Sequence, residues 1–323
     1  MEAISLIKIN IDNNLYPKSL KSIPNPPSSL YLDGNVDLLN SYSIAIIGAR
    51  NCSENGKKLT AKFATELSTT GITIVSGLAT GIDTIAHTNS YNNLGKTIAV
   101  LGCGFNNIFP EENINLYKKI LENDGLIVSE YPPDEKAKSS YFLERNRIVS
   151  GLSLGILVIE AFYRSGTSVT ANHAIKQGRQ VFTIPHEIWD SRGVGTNRLL
   201  KQGAKLVTDT ADILDILKLN RLKCRYLDLK SQGIFDEFSK NTFSFNNSKS
   251  DNTALKTEQY SISPSLSDPK QSKIYKCIKN TNTLSVNDIS HETGYSVNEV
   301  LSILFVLEVD GYIKKVEGGY RCM

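Results

Sequence analysis

Short apolar runs recur along the first two thirds of the chain: Ile44 to Ile47, Ile72 to Val75, Thr97 to Leu101, Leu126 to Val128, Gly155 to Ile159, Val181 to Ile184 and Lys205 to Val207. Runs this short and this apolar read as buried parallel strands. Roughly 20 to 30 residues of helix-compatible sequence separate them, room for one helix per connection, which is the mark of right-handed βαβ units. The predicted fold is α/β, a Rossmann-like, doubly wound, mostly parallel sheet over residues 41–217, followed by a small C-terminal winged-helix domain.

The flanking segments read differently. Residues 1–40 hold Tyr16-Pro17, Pro24, Pro26, Pro27 and Asp33-Gly34, and predict an extended lead-in with turns. Over 218–268 Ser, Asn and Lys dominate and aliphatics thin out after Ser239, so a linker, partly disordered, is expected. Residues 269–323 return to periodicity. Ser272 to Ile278, Val286 to Tyr295 and Ser296 to Val309 read as three helices with Gly294 in the tight turn, and Gly311 to Arg321 alternates around a glycine turn, a hairpin wing. The third helix would be the base-reading one, yet it carries Glu299 and Glu308, ends at Asp310 and contains no Lys or Arg. Carboxylates repel phosphates, so docking to protein or a structural role suits it better, while Lys314, Lys315 and Arg321 in the wing leave DNA binding open.

The chemistry concentrates where strands hand over to helices. Gly48-Ala49-Arg50 follows the first strand, Ser76-Gly77 opens Ser76 to Asp83 after the second, and Ser165-Gly166 leads to Thr170 after the fifth. Small residues there expose backbone N–H groups beside helix N-termini, a setting suited to phosphate. Arg145, Asn146 and Arg147 stand just before the strand that begins at Gly155, with Lys138 upstream. Ligands of parallel sheets bind outside the carboxyl ends of the strands, so Gly48, Arg50, Ser76, Gly77, Lys138, Arg145, Asn146, Arg147, Ser165, Gly166 and Thr170 form one predicted anion site. None of the turns is a GxGxxG or a P-loop, and no cofactor is assigned.

Composition narrows the classes. The 323 residues are 40% hydrophobic and 21% charged. No run approaches the roughly 20 apolar residues of a membrane span, and the N-terminus lacks a signal-peptide pattern, so a cytoplasmic protein with no membrane partner is expected. Five scattered cysteines without a CxxC indicate neither disulfides nor zinc. A net charge of +3 permits a nucleic-acid partner without arguing for one. Glu160, Asp83 and His87 could make an acid/base set, but each has a structural alternative as a cap, a loop partner or a helix residue; no catalytic residue and no metal ligand is assigned.

These motifs resemble the DprA/Smf family, the DNA-processing protein of bacterial natural transformation. The resemblance rests on Ile44 to Arg50, Ser76 to Asp83 with Ala86-His87, Gly95 to Gly102, Ser129-Glu130-Tyr131, Arg145-Asn146-Arg147, Ser165-Gly166 with Thr170-Ala171, Gly195 to Leu200 and Gly203-Ala204. It covers roughly residues 15–217, and the winged helix fits the family's usual C-terminal module. It implies a homodimeric single-stranded DNA-binding protein of competence and DNA recombination that protects incoming strands and helps load the RecA recombinase. Where relatives have Pro-Gly after the sixth strand this chain has Pro185-His186, and a helical N-terminal module is not expected. The rival is a Rossmann-like nucleotide hydrolase similar to lysine decarboxylase-like phosphoribohydrolases. Their PGGxGT segment is closely followed by a catalytic Glu, whereas Ser165-Gly166-Thr167 is followed by Ser168, Val169 and Thr170.

Overall fold

The structure, a computed structural model, describes residues 6–163, 165–236, 269–279, 283–309, 313–316 and 319–322. The chain divides into two compact units, 1–246 and 247–323. The first begins with β1 (Ile7–Asn10), the single turn α1 (Lys18–Lys21) and β2 (Ser29–Gly34). Strands and helices then alternate: β3 (Ser43–Ile47), α2 (Glu54–Thr70), β4 (Thr73–Ser76), α3 (Ile82–Thr88), β5 (Thr97–Leu101), α4 (Ile114–Glu122), β6 (Leu126–Ser129) and α5 (Ser139–Leu152). After these come β7 (Gly155–Val158), α6 (Gly166–Lys176), β8 (Gln180–Thr183), α7 (Val194–Lys201), β9 (Lys205–Leu206), α8 (Thr210–Ile216) and α9 (Asn220–Ser231).

All nine strands form one sheet, in the order β1-β2-β6-β5-β4-β3-β7-β8-β9. From β6 across to β9 the pairing is parallel. Side chains of β3 to β7 are buried at every position because helices cover both faces. The two-residue period sorts them: Ala45 and Ile47 pack with Ile148 and Val149 of α5 and Ala171 of α6, while Ile44 and Ile46 pack with Phe63 and Leu67 of α2. From β3 the chain winds outward through β4, β5 and β6, then crosses to β7 on the other side of β3. Strand order therefore reverses between β3 and β7, and the loops that leave them part to opposite faces, which opens a crevice at their carboxyl ends.

Two expectations are corrected here. Residues 1–40 are no separate lead-in, because β1 and β2 extend the sheet antiparallel beyond β6 and bury Ile9, Leu30 and Leu32. The apolar alternation of β2 is too short to stand out, and Pro26-Pro27 delimit that strand rather than replace it. The expected linker does not begin at 218 either. Helix α9 buries Tyr226, whose hydroxyl donates to Asp209 Oδ1 at 2.9 Å, and Phe235 stacks on its ring. The remainder of that segment, 237–268, lies outside the described residues.

The second unit comprises α10 (Pro269–Lys279), α11 (Val286–Thr293), α12 (Val297–Val309) and the hairpin β10 (Ile313–Val316) with β11 (Gly319–Cys322). Ile274, Ile278, Ile289, Val300, Leu304, Ile313 and Tyr320 make its core. A capping box between Ser285 and Asp288 starts α11, and Gly294 at φ +73° turns the chain toward α12. The three helices and wing are those the sequence predicts. Asp310 and the side chains of Glu308 and Lys315 lie outside the described residues.

Candidate functional site

At the reversal of strand order, the loops after β3, β4 and β7 and the helix α5 enclose a cleft of about 370 Å³. Its lining includes Gly48 and Arg50 after β3, Gly77 and Asp83 after β4, Arg145 and Asn146 on α5, and Ser165, Gly166 and Thr170 at the start of α6. Eight of the predicted site residues thus meet in one cavity. A neighbouring recess of about 450 Å³, bounded by Thr80, Phe109 and Glu111, shares Arg50, Gly77, Phe142 and Arg145 with it.

Arg145 is the centre of this arrangement, and it is more than a surface cation. It is only 4% exposed, and its Nη1 donates to the carbonyls of Gly77, at 2.6 Å, and Val100. Burial lowers its pKa from the ordinary arginine value, an effect opposed by the nearby Asp83 carboxylate. Among the described residues the buried Nε has no hydrogen-bond partner and nothing accepts from Nη2. A buried guanidinium with unmet donors at a cavity wall is prepared for an anion, because leaving such donors dry costs about 1 to 3 kcal/mol each. Arg145 therefore ties the loop after β4 to strand β5 and lines the cleft at once.

The glycines explain how the loops come so close. A Cβ on Gly77 would sit 2.4 Å from Arg145 Nη1, and one on Gly48 would sit 2.6 Å from Ile82 Cγ1. These two positions need glycine for packing. Gly166 differs, since a Cβ there meets nothing within 4 Å. Its openness lies on the first turn of α6, where backbone N–H groups lack helical partners and the helix dipole is positive. Arg50 is exposed and makes no ion pair or hydrogen bond among the described residues. Asn146 Nδ2 donates to the Gly166 carbonyl at 3.5 Å, a weak contact that leaves its amide adaptable.

Three predicted residues do not join the cleft. Ser76 is buried, its hydroxyl donating to the Ile46 carbonyl at 2.7 Å, so it ties β4 to β3. Lys138 pairs with Glu135 and the Tyr141 hydroxyl, both at 2.8 Å, away from the cleft lining. Arg147 forms a bidentate pair with Glu130 at 2.8 and 2.7 Å, and its Nε donates to the Asn25 carbonyl at 2.9 Å. Residues two apart on a helix point to nearly opposite sides, so one α5 sends Arg145 to the cleft and Arg147 to β6. The same geometry reveals a residue that sequence reasoning missed. Phe142 is one turn before Arg145 on the cleft face, and its ring lies 5.5 Å from that of the half-exposed Phe109.

Two carboxylates near the cleft, Glu160 and Asp83, are engaged. Glu160 accepts from Ser53 N at 3.0 Å and from the Ser53 hydroxyl, which itself caps α2 by accepting from Gly56 N at 2.9 Å. Asp83 accepts from Gly77 N at 3.0 Å and Ala79 N at 3.4 Å, and burial raises its pKa above the usual carboxylate value despite Arg145. His87 lies beneath, wholly buried. The Thr97 hydroxyl donates to the Ile74 carbonyl, so it accepts from His87 Nδ1, and Nε2 is left deprotonated and without a partner. Burial first, and Arg145 second, push His87 down to about 3. Among the described residues no three His, Cys, Asp or Glu side chains gather as metal ligands would, and no helix is long and apolar enough to cross a membrane.

The family model described as DNA recombination-mediator protein A matches residues 8–218, and that of the DprA winged helix domain matches residues 261–319. Protein Smf of Escherichia coli (strain K12) is 42% identical over 210 residues, covering 65% of this chain and 56% of that protein. DNA processing protein DprA of Streptococcus pneumoniae is 42% identical over 205 residues, covering 64% of this chain and 72% of that protein. The alignment thus spans just over half the length of the Escherichia coli relative. The solved structure of DprA from Streptococcus pneumoniae superposes with a TM-score of 0.62 at 41% identity, over 65% of this chain and 74% of that one. A structure of DNA processing protein A from Helicobacter pylori, described for its single-stranded DNA binding mode, superposes with a TM-score of 0.61 at 33% identity, over 67% of this chain and 97% of that one. With one family model matching residues 8–218 and a winged-helix model matching residues 261–319, the chain belongs to the DNA recombination-mediator protein A family, also called DprA/Smf.

Proposed function

We propose that this chain binds single-stranded DNA at the carboxyl edge of its sheet during DNA uptake and recombination in the cytoplasm. In this reading a backbone phosphate enters the cleft, meets the open donors of Arg145, the side chain of Arg50 and the first-turn N–H groups of α6, and flanking bases rest on Phe142 and Phe109. The observation that carries it is the buried Arg145 guanidinium with Nε unpartnered at the cleft wall. Arg145 is recessed, and only a flexible strand can lower a phosphate to it; a duplex is too wide and stiff. Binding without hydrolysis follows, because Glu160 and Asp83 are held by backbone and hydroxyl donors and neither is free to activate water. The bound strand is protected and passed to RecA by a homodimer, as the family membership suggests.

The test is fluorescence anisotropy of labelled oligo-dT against a blunt duplex at physiological salt, about 0.15 M. We expect at least a tenfold preference for the single strand, and equal affinities would overturn the proposal. Gly166→Val should weaken oligo-dT binding while leaving the melting temperature in place, since its side chain would fill only the space kept for phosphate. Lys314→Ala with Arg321→Ala in the wing should change that affinity less than threefold.

A further inference from the structure

A third cavity, of about 350 Å³, lies beyond the start of α6 and is lined by Tyr163, Ser165, Asn172, Arg198 and Gln202 among others. Ser165 borders both this cavity and the phosphate cleft, so the two are adjacent along the sheet edge. Tyr163 is 55% exposed, and the Arg198 guanidinium carbon lies 5.6 Å from its ring centroid. Arg198 is itself exposed and has no carboxylate partner among the described residues. An exposed ring joined to a planar, unneutralised guanidinium makes a platform on which any base can stack, with the charge left to meet the next phosphate. The Asn172 and Gln202 amides at the rim are exposed and make no hydrogen bond among the described residues, so they can satisfy base edges of more than one kind.

We infer that this cavity is a second nucleotide subsite, in which the Tyr163–Arg198 pair stacks a base of the same single strand whose phosphate occupies the cleft. The inference rests on the single-strand reading above and extends it in one direction along the edge, through Ser165 toward α7. It assigns to Tyr163 and Arg198 a part in strand length dependence and none in the first phosphate contact.

The experiment compares labelled thymidine oligonucleotides from two to ten nucleotides long, using the full chain and Tyr163→Ala, Tyr163→Phe and Arg198→Ala. Wild-type affinity should rise with length. Tyr163→Ala and Arg198→Ala should bind the dinucleotide as wild type does but lose roughly 5- to 100-fold on the ten-nucleotide strand, the range expected for loss of one base stack. Tyr163→Phe should retain wild-type affinity because the ring remains. Unchanged ten-nucleotide binding in Tyr163→Ala, or an equal loss on the dinucleotide, would overturn the subsite. A wild-type chain that binds none of the oligonucleotides would overturn the parent reading itself. Unaltered melting temperatures in all three variants, expected from their exposure, make affinity the informative readout.

Discussion

The two sides of α5 carry the same side chain in opposite states. On the cleft side, Arg145 is buried with Nε unpartnered, while on the β6 side Arg147 has every nitrogen engaged by Glu130, Asn25 or Glu144. Charge written in a sequence is not charge available to a ligand. The winged helix repeats the lesson, since Lys270 at its α10 pairs with Glu299 of α12 at 3.1 Å, and α12 presents Val297 and Leu301 to solvent. Among the described residues, the cleft combines an exposed arginine without an ion pair, a recessed one and open backbone donors.

The largest expected effect comes from removing the recessed cation. Arg145→Met leaves the buried Asp83 carboxylate without its opposing charge and the Gly77 and Val100 carbonyls without their donor. Loss of a buried ion partner costs about 3 to 5 kcal/mol, so urea unfolding should shift by that much. A loss below about 1 kcal/mol would place Arg145 in the ligand site only and dissolve its bracing role.

Next comes acidity. His87 is neutral in the fold with a pKa near 3 and titrates near 6.5 once unfolded. Its contribution is intact above about pH 6.5 and is lost as pH falls toward 3, because only the unfolded chain takes up the proton in that window. Between pH 6.5 and 4.5 this amounts to roughly 2 to 3 kcal/mol. His87→Asn keeps a donor for Thr97 and removes the titration, so its stability should fall less steeply over that window. Parallel curves for the two proteins would show that the ring beneath the cleft is not held neutral.

Smaller again is Arg147→Ala. Removing a partly buried bidentate pair should cost about 2 kcal/mol in urea unfolding and leave oligo-dT affinity within about threefold. Stability unchanged and binding weakened tenfold would reverse the comparison and return Arg147 to the DNA site.

Much of this was legible in the sequence. Each apolar run between Ile44 and Val207 became a strand within a residue or two; for β3 to β7, burial on both faces leaves few polar positions to blur the signal. Edge elements were harder to see: β2 has only Leu30 and Leu32 to announce it, and α9 is anchored by Tyr226, whose partners Glu66 and Asp209 lie far away in sequence. Turn chemistry located the cleft, since Gly48, Gly77 and Gly166 sit where strands end. What separated Arg145 from Arg147 was helix phase, visible in principle once α5 is drawn as a helix, together with Glu130 and Gly77, which only the fold brings near. Phase would equally have added Phe142, three residues before Arg145.

The central claim is that the cleft cations, and not those of the outer flank, meet the DNA backbone. It is tested most directly by the salt dependence of oligo-dT affinity in wild type, Arg50→Ala and Arg147→Ala. Arg50 is exposed and has no ion-pair partner among the described residues, so its removal should weaken binding roughly tenfold and reduce the slope of log K against log salt by about 0.7, the value of one phosphate contact on a single strand. Arg147→Ala should keep the wild-type slope. A slope that falls with Arg147→Ala and holds with Arg50→Ala would contradict the account.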